Sequence, residues 1–301
     1  MVEPGKTNII HLGTESERET VSDCPWCGSE NYSNDWGGSE CKDNCEQVLC
    51  ECGLIYLRTR YTLEYLRKYY DDYQEQHEVD EVRRKKMYQL EYSWIRPYLS
   101  QTGKLRHLTI LDVGCGDGSF AWLCTYFLGT TLYGVEVGKK AREKAERNFH
   151  HVWSMDLTCV QTEHRFDLII FRGSIEHMAQ PRETLDKAIS LLKDNGMIFI
   201  TSTPNSDCIA AKVFGIHWNQ HKPKSHLMHF KPKLFDEYFR KNGFKKLGEK
   251  FFYEETPYAD VKPDICTMAY AIENRDLTKN LSIICPPFYG TLMTLLYRKG
   301  K

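Results

Sequence analysis

Between Ile110 and Phe120 the chain reads ILDVGCGDGSF: an apolar run, an acid at Asp112, then glycines at 114, 116 and 118. Glycine permits a tight turn and lets a ligand lie against the backbone. The helix beginning near Asp117 points its N-terminus at that ligand. Two ligand classes fit such a turn: a dinucleotide, or an adenosyl group with an amino-acid tail. Three details separate them. The spacing is G-x-G-x-G, and Ser119 stands where the dinucleotide pattern needs its third glycine. Asp112 inside the turn repels a pyrophosphate and suits a cationic amine. Glu136 ends the next strand, about 20 residues on, where an acid binds ribose hydroxyls. Asp156, in SMDL, then comes within reach of an exocyclic amine.

Two further clusters carry chemistry. Six of the twelve cysteines fall within 23–57. Cys24 and Cys27 with Gly28 form one zinc knuckle. Cys50 and Cys52 with Gly53 form a second, at C-x-C spacing. Together they predict one tetrahedral, all-thiolate zinc, a closed and therefore structural site. Cys41 and Cys45 are spare candidates for the place of Cys50. Asp23, Glu30, Asp35, Glu40, Asp43, Glu46 and Glu51 outnumber Lys42 here, the wrong balance for phosphate, so nucleic acid is not the expected partner. The other cluster is the long connection TPNSDCIAAKVFGIHWNQHKPKSHLMHF, with His217, Trp218, His221, His226 and His229. Long connections over strand ends usually carry function. Imidazole is suited to taking a proton near neutral pH, although any one of these histidines also fits a capping or packing role.

The elements that position these groups follow from periodicity. Residues 1–22 read as a flexible, polar N-terminus and 23–57 as a zinc-binding module too short to build a core alone. Residues 58–105 read as a linker and helical cover: 61–76 is Tyr-rich, and Val79, Val82, Met87, Leu90, Trp94 and Tyr98 recur at helical spacing. From 106 to 301 strands and helices alternate. Strands are expected at Leu108–Val113, Thr131–Val137, near Ser154, Phe166–Gly173 and Met197–Thr203, then near Lys246–Glu254 and Gly290–Arg298. Helices are expected at Phe120–Leu128, after Gly138, at Glu183–Gly196 and at Leu234–Asn242. This alternation argues for an α/β fold with a doubly wound, mostly parallel sheet that binds ligands at the carboxyl ends of its strands. The 301-residue chain has a formal net charge of −1, which gives no global pull toward nucleic acid or acidic membranes. It shows no apolar leader, and Pro286, Pro287 and Gly290 interrupt its longest uncharged run, so a cytoplasmic chain without a membrane span is expected.

The successive segments LDVGCGDG, VEVG, MDL, FDLIIFRGSIEHMAQP, LLKDNGMIFITSTPN and SHLMHFKPKLFDEYFRKNGF resemble, in content and order, the motifs of class I S-adenosylmethionine-dependent methyltransferases. The likeness runs from about Leu108 to Arg298. It is nearest to the branch holding the ubiquinone-pathway O-methyltransferases and many glycan and natural-product methyltransferases, some with a comparable zinc module. The resemblance implies a Rossmann-like, seven-stranded sheet and S-adenosylmethionine as cofactor. It also implies cofactor contacts from Asp112 (amine), Gly114, Gly116, Glu136 (ribose), Val137, Asp156 (adenine), Leu157 and Arg172. It places His177 beside the methyl group, with Glu176 next to it. His226 matches an H-x-x-x-F position recurrent in the branch. The implied reaction is methyl transfer to a hydroxyl of a small or sugar-like acceptor, with His177 and then His226 as candidate bases. The alternatives are an RNA base methyltransferase with a zinc module and a non-catalytic cofactor-binding scaffold. In one respect the chain departs from the branch: Gly173 stands where E-x-x-E-H has its first acid, so metal-assisted catalysis is not expected. The sequence CPPF, 285–288, follows the wrong strand to be an amino-methyltransferase signature and reads as a turn.

Overall fold

A computed structural model of the chain describes residues 17–34, 45–76, 80–100, 107–125, 129–274 and 283–300. Cys41 and Val79 lie outside the described residues. The chain begins with short strands: β1 (Arg18–Thr20), β2 (Tyr32–Ser33), β3 (Gln47–Cys50), β4 (Ile55–Leu57) and β5 (Thr59–Tyr61). Antiparallel pairing of β1 with β5 orders residues 18–20, contrary to the expected flexible N-terminus. The Tyr-rich stretch, expected as linker or short helices, is a 14-residue helix, α1 (Leu63–Gln76). Next comes α2 (Glu81–Ser100), whose buried face is Met87, Tyr88, Glu91, Ile95 and Leu99. That face is rotated from the one expected: Val82 is 65 % exposed. The sheet takes the i, i+4, i+8, i+12 stripe, which carries the acid Glu91.

The main sheet follows the alternation. Strands β6 (Thr109–Val113), β7 (Thr131–Val135), β8 (His151–Trp153), β9 (Phe166–Arg172) and β10 (Leu192–Pro204) run parallel to their neighbours among these five. Strands β12 (Phe244–Lys250) and β13 (Leu292–Lys299) add an antiparallel edge. Among the described residues the sheet has seven strands in the order β12-β13-β10-β9-β6-β7-β8. The winding reverses beside β6, and the crevice at that switch point is where doubly wound sheets take ligands. Helices α3 (Ser119–Thr125), α4 (Lys139–Ala145), α5 (Pro181–Ser190) and α7 (Pro232–Lys241) fill the crossovers. The α5 helix stops at Ser190 rather than running to Gly196. Leu192 already pairs with Phe166, and Asn195 at φ +61° makes a bulge before the ladder resumes at Met197. The long histidine-rich connection folds into α6 (Ile209–Phe214) and the two-residue β11 (Met228–His229), and α8 (Val261–Glu273) lies between β12 and β13.

The cysteine module is not a separate body. Strand β11 pairs with β4, Met228 opposite Tyr56 and His229 opposite Ile55, giving a four-stranded sheet β11-β4-β3-β2. Trp26, inside the first knuckle, packs its ring 5.4–5.7 Å from those of Phe230, Phe235 and Tyr238. One continuous apolar core runs from Cys24, Trp26 and Val48 to Leu111, Ile169 and Ile200 of the main sheet. The core of the large domain therefore includes the module. A segment that short cannot bury enough apolar surface alone, so it borrows the larger core.

Candidate functional site

A cavity of about 500 Å³ opens at the carboxyl ends of β6, β7, β8 and β9, lined by all eleven residues expected from the sequence to contact cofactor or acceptor. The volume is within the range of small-molecule sites. Its floor is the glycine turn. Gly116 and Gly118 sit at φ +56° and +75°, where side chains are disfavoured. A Cβ on Gly118 would lie 2.6 Å from Phe149, so that glycine also serves packing. A Cβ on Gly116 would meet nothing within 4 Å. The space beside Gly116 is open to a ligand.

Asp112 is 2 % exposed, and its Oδ1 has no hydrogen-bond partner. Burial raises its pKa to about 7, against the pull of the Arg172 guanidinium, and Glu136 and Asp117 add to the rise. A buried acid with an unpartnered oxygen in a cavity wall is the acceptor a cationic amine needs. Glu136 bridges the turn: its two oxygens accept from Gly116 N at 2.8 Å and Gly138 N at 2.7 Å. Val137, Leu157 and Gly114 line the wall beside it. Asp156 lies at the mouth, half exposed, paired with Arg67 at 3.2 Å. Arg172 is held by Glu91 at 2.7 Å, its guanidinium 4.3 Å from the Tyr88 ring centroid. Glu91 also accepts from Thr201 and Ser202.

The opposite end of the cavity gathers Glu176, His177 and His226. One ligand-type atom from each lies within 4.8 Å of the others. The His177 and His226 rings are 5.0 Å apart. Burial raises the Glu176 pKa to about 8, so it holds its proton at neutral pH. Burial, helped by the Lys222 ammonium, lowers His177 to about 4, and burial drives His226 well below its ordinary value. Both imidazoles are neutral. His226 Nδ1 lies 2.6 Å from the Gln220 carbonyl, an obligatory acceptor, so Nδ1 carries the proton and Nε2 is bare. Two further histidines of the connection, both buried, continue from this group: the His229 ring lies 6.0 Å from that of His226 and 5.2 Å from that of Trp218, and His221 lies 5.8 Å from His229.

The cysteine centre is as expected from spacing. Cys24, Cys27, Cys50 and Cys52 bring their sulfurs together, with Cys24–Cys52 at 3.8 Å and Cys27–Cys50 at 3.5 Å. Four thiolates about 2.3 Å from one zinc stand about 3.8 Å apart in a tetrahedron, so the donor set fits. Cys45 is buried in the core and is not one of the four.

Among the lining or supporting residues not found from the sequence are Tyr70, Arg84, Tyr88, Glu91 and Gln220. They come from α1, α2 and the long connection. Glu91 alone carried a readable signal, an acid four residues after Met87 and four before Ile95 on an otherwise apolar stripe.

Known proteins resemble this chain in sequence and in fold. A family profile described as "Methyltransferase domain" matches residues 83–248, more than half of the chain. A ubiquinone biosynthesis O-methyltransferase of Glaesserella parasuis is 27 % identical over 105 residues, covering 31 % of this chain and 44 % of that protein. One of Neisseria meningitidis is 25 % identical over 114 residues, covering 35 % and 48 %. The chain thus spans just under half the length of these relatives. Among solved structures, the magnesium protoporphyrin IX methyltransferase of Synechocystis with bound SAH superposes with a TM-score of 0.54 at 15 % identity, over 79 % of this chain and 100 % of that one, a likeness of fold. With more than half of its length matched, and the glycine turn and its cavity inside that span, the chain belongs to the methyltransferase-domain family.

Proposed function

We propose that this chain transfers a methyl group from S-adenosylmethionine to a hydroxyl of a small or sugar-like acceptor, with a structural zinc in its N-terminal module. The observation that carries the cofactor reading is the buried Asp112, with an unpartnered Oδ1, in the wall of the same cavity that holds the open side of Gly116. When bound, S-adenosylmethionine supplies an electrophilic methyl group on a sulfonium. Asp112 holds the methionine amine, and Glu136, already fixed by two backbone N–H groups, accepts from the ribose hydroxyls. Asp156 and Arg67 flank the adenine end. Two neutral imidazoles at the far end support a hydroxyl acceptor, because such an acceptor must lose its proton. His177 Nε2 takes that proton. Protonated Glu176 lies 3.7 Å from it and adds no negative charge to repel an electron-rich acceptor. His226 closes the acceptor side. The acidic module weighs against a nucleic-acid acceptor.

Calorimetry over pH 5.5–9 tests the cofactor site. A cationic amine pairs with ionised Asp112, so affinity should rise about tenfold per pH unit up to about 7. It should fall again above about 8, where an α-amine loses its proton. Adenosine, which lacks the tail, should show neither limb. An S-adenosylmethionine affinity flat from pH 5.5 to 7 removes Asp112 from the amine.

Glu136→Ala should weaken binding by about 1–3 kcal/mol, the scale for losing a charged hydrogen-bond partner. Unchanged affinity would place the ribose elsewhere. Transfer of a labelled methyl group to nucleotide sugars and to small-molecule extracts then identifies the acceptor. Retention by RNA that falls steeply with salt would favour a nucleic-acid acceptor instead.

A further inference from the structure

We propose that Tyr70 is a positioning residue that holds His177 in the tautomer protonated at Nδ1, leaving Nε2 bare toward the cavity. The proposal rests on the acid–base reading of the cavity above. Tyr70 Oη lies 2.8 Å from His177 Nδ1 and 3.5 Å from the Ser225 carbonyl oxygen. A phenol has one proton to give and lone pairs to accept with. A carbonyl oxygen only accepts. When the Tyr70 hydroxyl leans its proton toward Ser225, its lone pair is left to accept from His177 Nδ1–H. In the opposite arrangement Tyr70 donates to Nδ1, Nε2 carries the proton, and the ring cannot take one from an acceptor in the cavity. The tyrosine thus does the work that a carboxylate does for the histidine of a hydrolase triad. It does so without a negative charge, which suits a site whose imidazoles stay neutral.

Tyr70 is held firmly enough for this role. Residues 70 and 71 sit on the start of α4: Asp71 accepts from Lys139 N at 2.7 Å, and a Cβ on Gly138 would lie 3.0 Å from the Tyr70 carbonyl. Further back, Arg67 on the same helix pairs with Asp156, and Tyr65 stacks on Tyr61 at 4.4 Å. The charged and titratable groups acting on His177 come from three elements: Glu176 on its own turn, Tyr70 from α1, and Lys222 and His226 from the long connection. None of the last three is an anion competing for Nδ1–H. Precise placement from a rigid neighbour is what a general base requires.

Nitrogen-15 NMR of histidine-labelled protein reads the tautomer directly and needs no acceptor. The His177 resonances are assigned by their loss in His177→Gln. At pH 7, with S-adenosylhomocysteine present, the wild type should show His177 protonated at Nδ1 and bare at Nε2. Tyr70→Phe should shift the tautomer ratio about tenfold toward Nε2–H, because the buried Nδ1–H loses its acceptor. If Tyr70→Phe does not fold, 4-fluorophenylalanine at position 70 keeps the shape with a much weaker acceptor and no ionisable proton, and should shift the ratio in the same direction. An Nε2–H wild type, or a ratio unmoved by both variants, overturns the proposal. Calorimetry with S-adenosylhomocysteine on the same samples separates the two readings. Failure of the wild type to bind it overturns the proposed function and with it the role of Tyr70. Binding with an unmoved tautomer overturns the role of Tyr70 alone.

Discussion

His177→Ala should lower turnover by about 10²–10⁴-fold while cofactor affinity stays near wild type, the size expected for a lost general base. His177 sits directly after β9, in the short turn Ile175–His177, so its position is tied to the sheet. Its Nδ1 is engaged by Tyr70, and its Nε2 lies 3.7 Å from Glu176 Oε1. With its pKa lowered to about 4 by burial and Lys222, it is available as a base throughout the neutral range. Turnover should therefore not decline through this group between pH 7 and 5, and the acid limb belongs near pH 4. His226→Ala should act differently. Its Nδ1–H is committed to Gln220, and it lines the cavity on what we propose is the acceptor side, so the main effect should be a higher acceptor KM. The check is steady-state transfer of labelled methyl to the identified acceptor, with cofactor affinity measured separately. Full turnover in both single variants would mean that the acceptor is already ionised or is not a hydroxyl.

Elemental analysis should find one zinc per chain, and removing it should destabilise the whole protein rather than its first 60 or so residues. Zinc on structural thiolate sites contributes on the order of 10 kcal/mol in small peptides, comparable with the total stability of a domain. Here the site is wired to the large domain twice. Cys24 and Trp26 belong to the core that continues to Leu111 and Ile200. Strand β4, three residues after Cys52, holds β11 of the histidine-bearing connection, and Leu227 N then bonds the Glu176 carbonyl at 2.9 Å. Cys24→Ser, or a strong chelator added to the native protein, should lower the thermal midpoint in one cooperative transition. Hydrogen exchange should rise at residues 226–230 together with the knuckles. Two independent transitions, with the larger unmoved by chelator, would restore the picture of a detachable module. Protein purified under reducing conditions with no metal and paired disulfides would remove the zinc site itself.

Much of the cofactor end was legible in the sequence because its information is local. Asp112 near the end of β6 is followed by Gly114 and Gly116 within five residues, Glu136 and Val137 come directly after β7, and Asp156 and Leu157 follow β8. Each is placed by the periodicity and turn chemistry of contiguous residues, and the order of strands then brings them to one crevice. The four clustered cysteines were legible for the same reason, as two short knuckles each closed by a glycine. Local rules misplaced the end of α5, because pairing of Leu192 with Phe166 outweighs the helical preference of Leu192–Asn195. They also turned α2 by about one residue, because a helix face is chosen by what it packs against.

The acceptor end is a product of tertiary structure. Tyr70 reaches His177 across 107 residues, Glu91 reaches Arg172 across 81, and the proton on His226 is settled by the Gln220 carbonyl. Nothing in the residue types at 70 or 220 distinguishes them from their neighbours in an exposed helix or loop, and the acid at 91 stands out only by its place on the apolar stripe of α2. Their roles arise when α1, α2 and the long connection are packed onto the sheet. What the sequence by itself determined is the doubly wound sheet, the glycine turn with its acids and the cysteine knuckles, all encoded by spacing along the chain. What only the tertiary structure decided is which imidazole nitrogen faces the cavity, which charges are already paired and how far the core extends into the module. Those depend on desolvation and on contacts between segments that spacing along the chain does not specify.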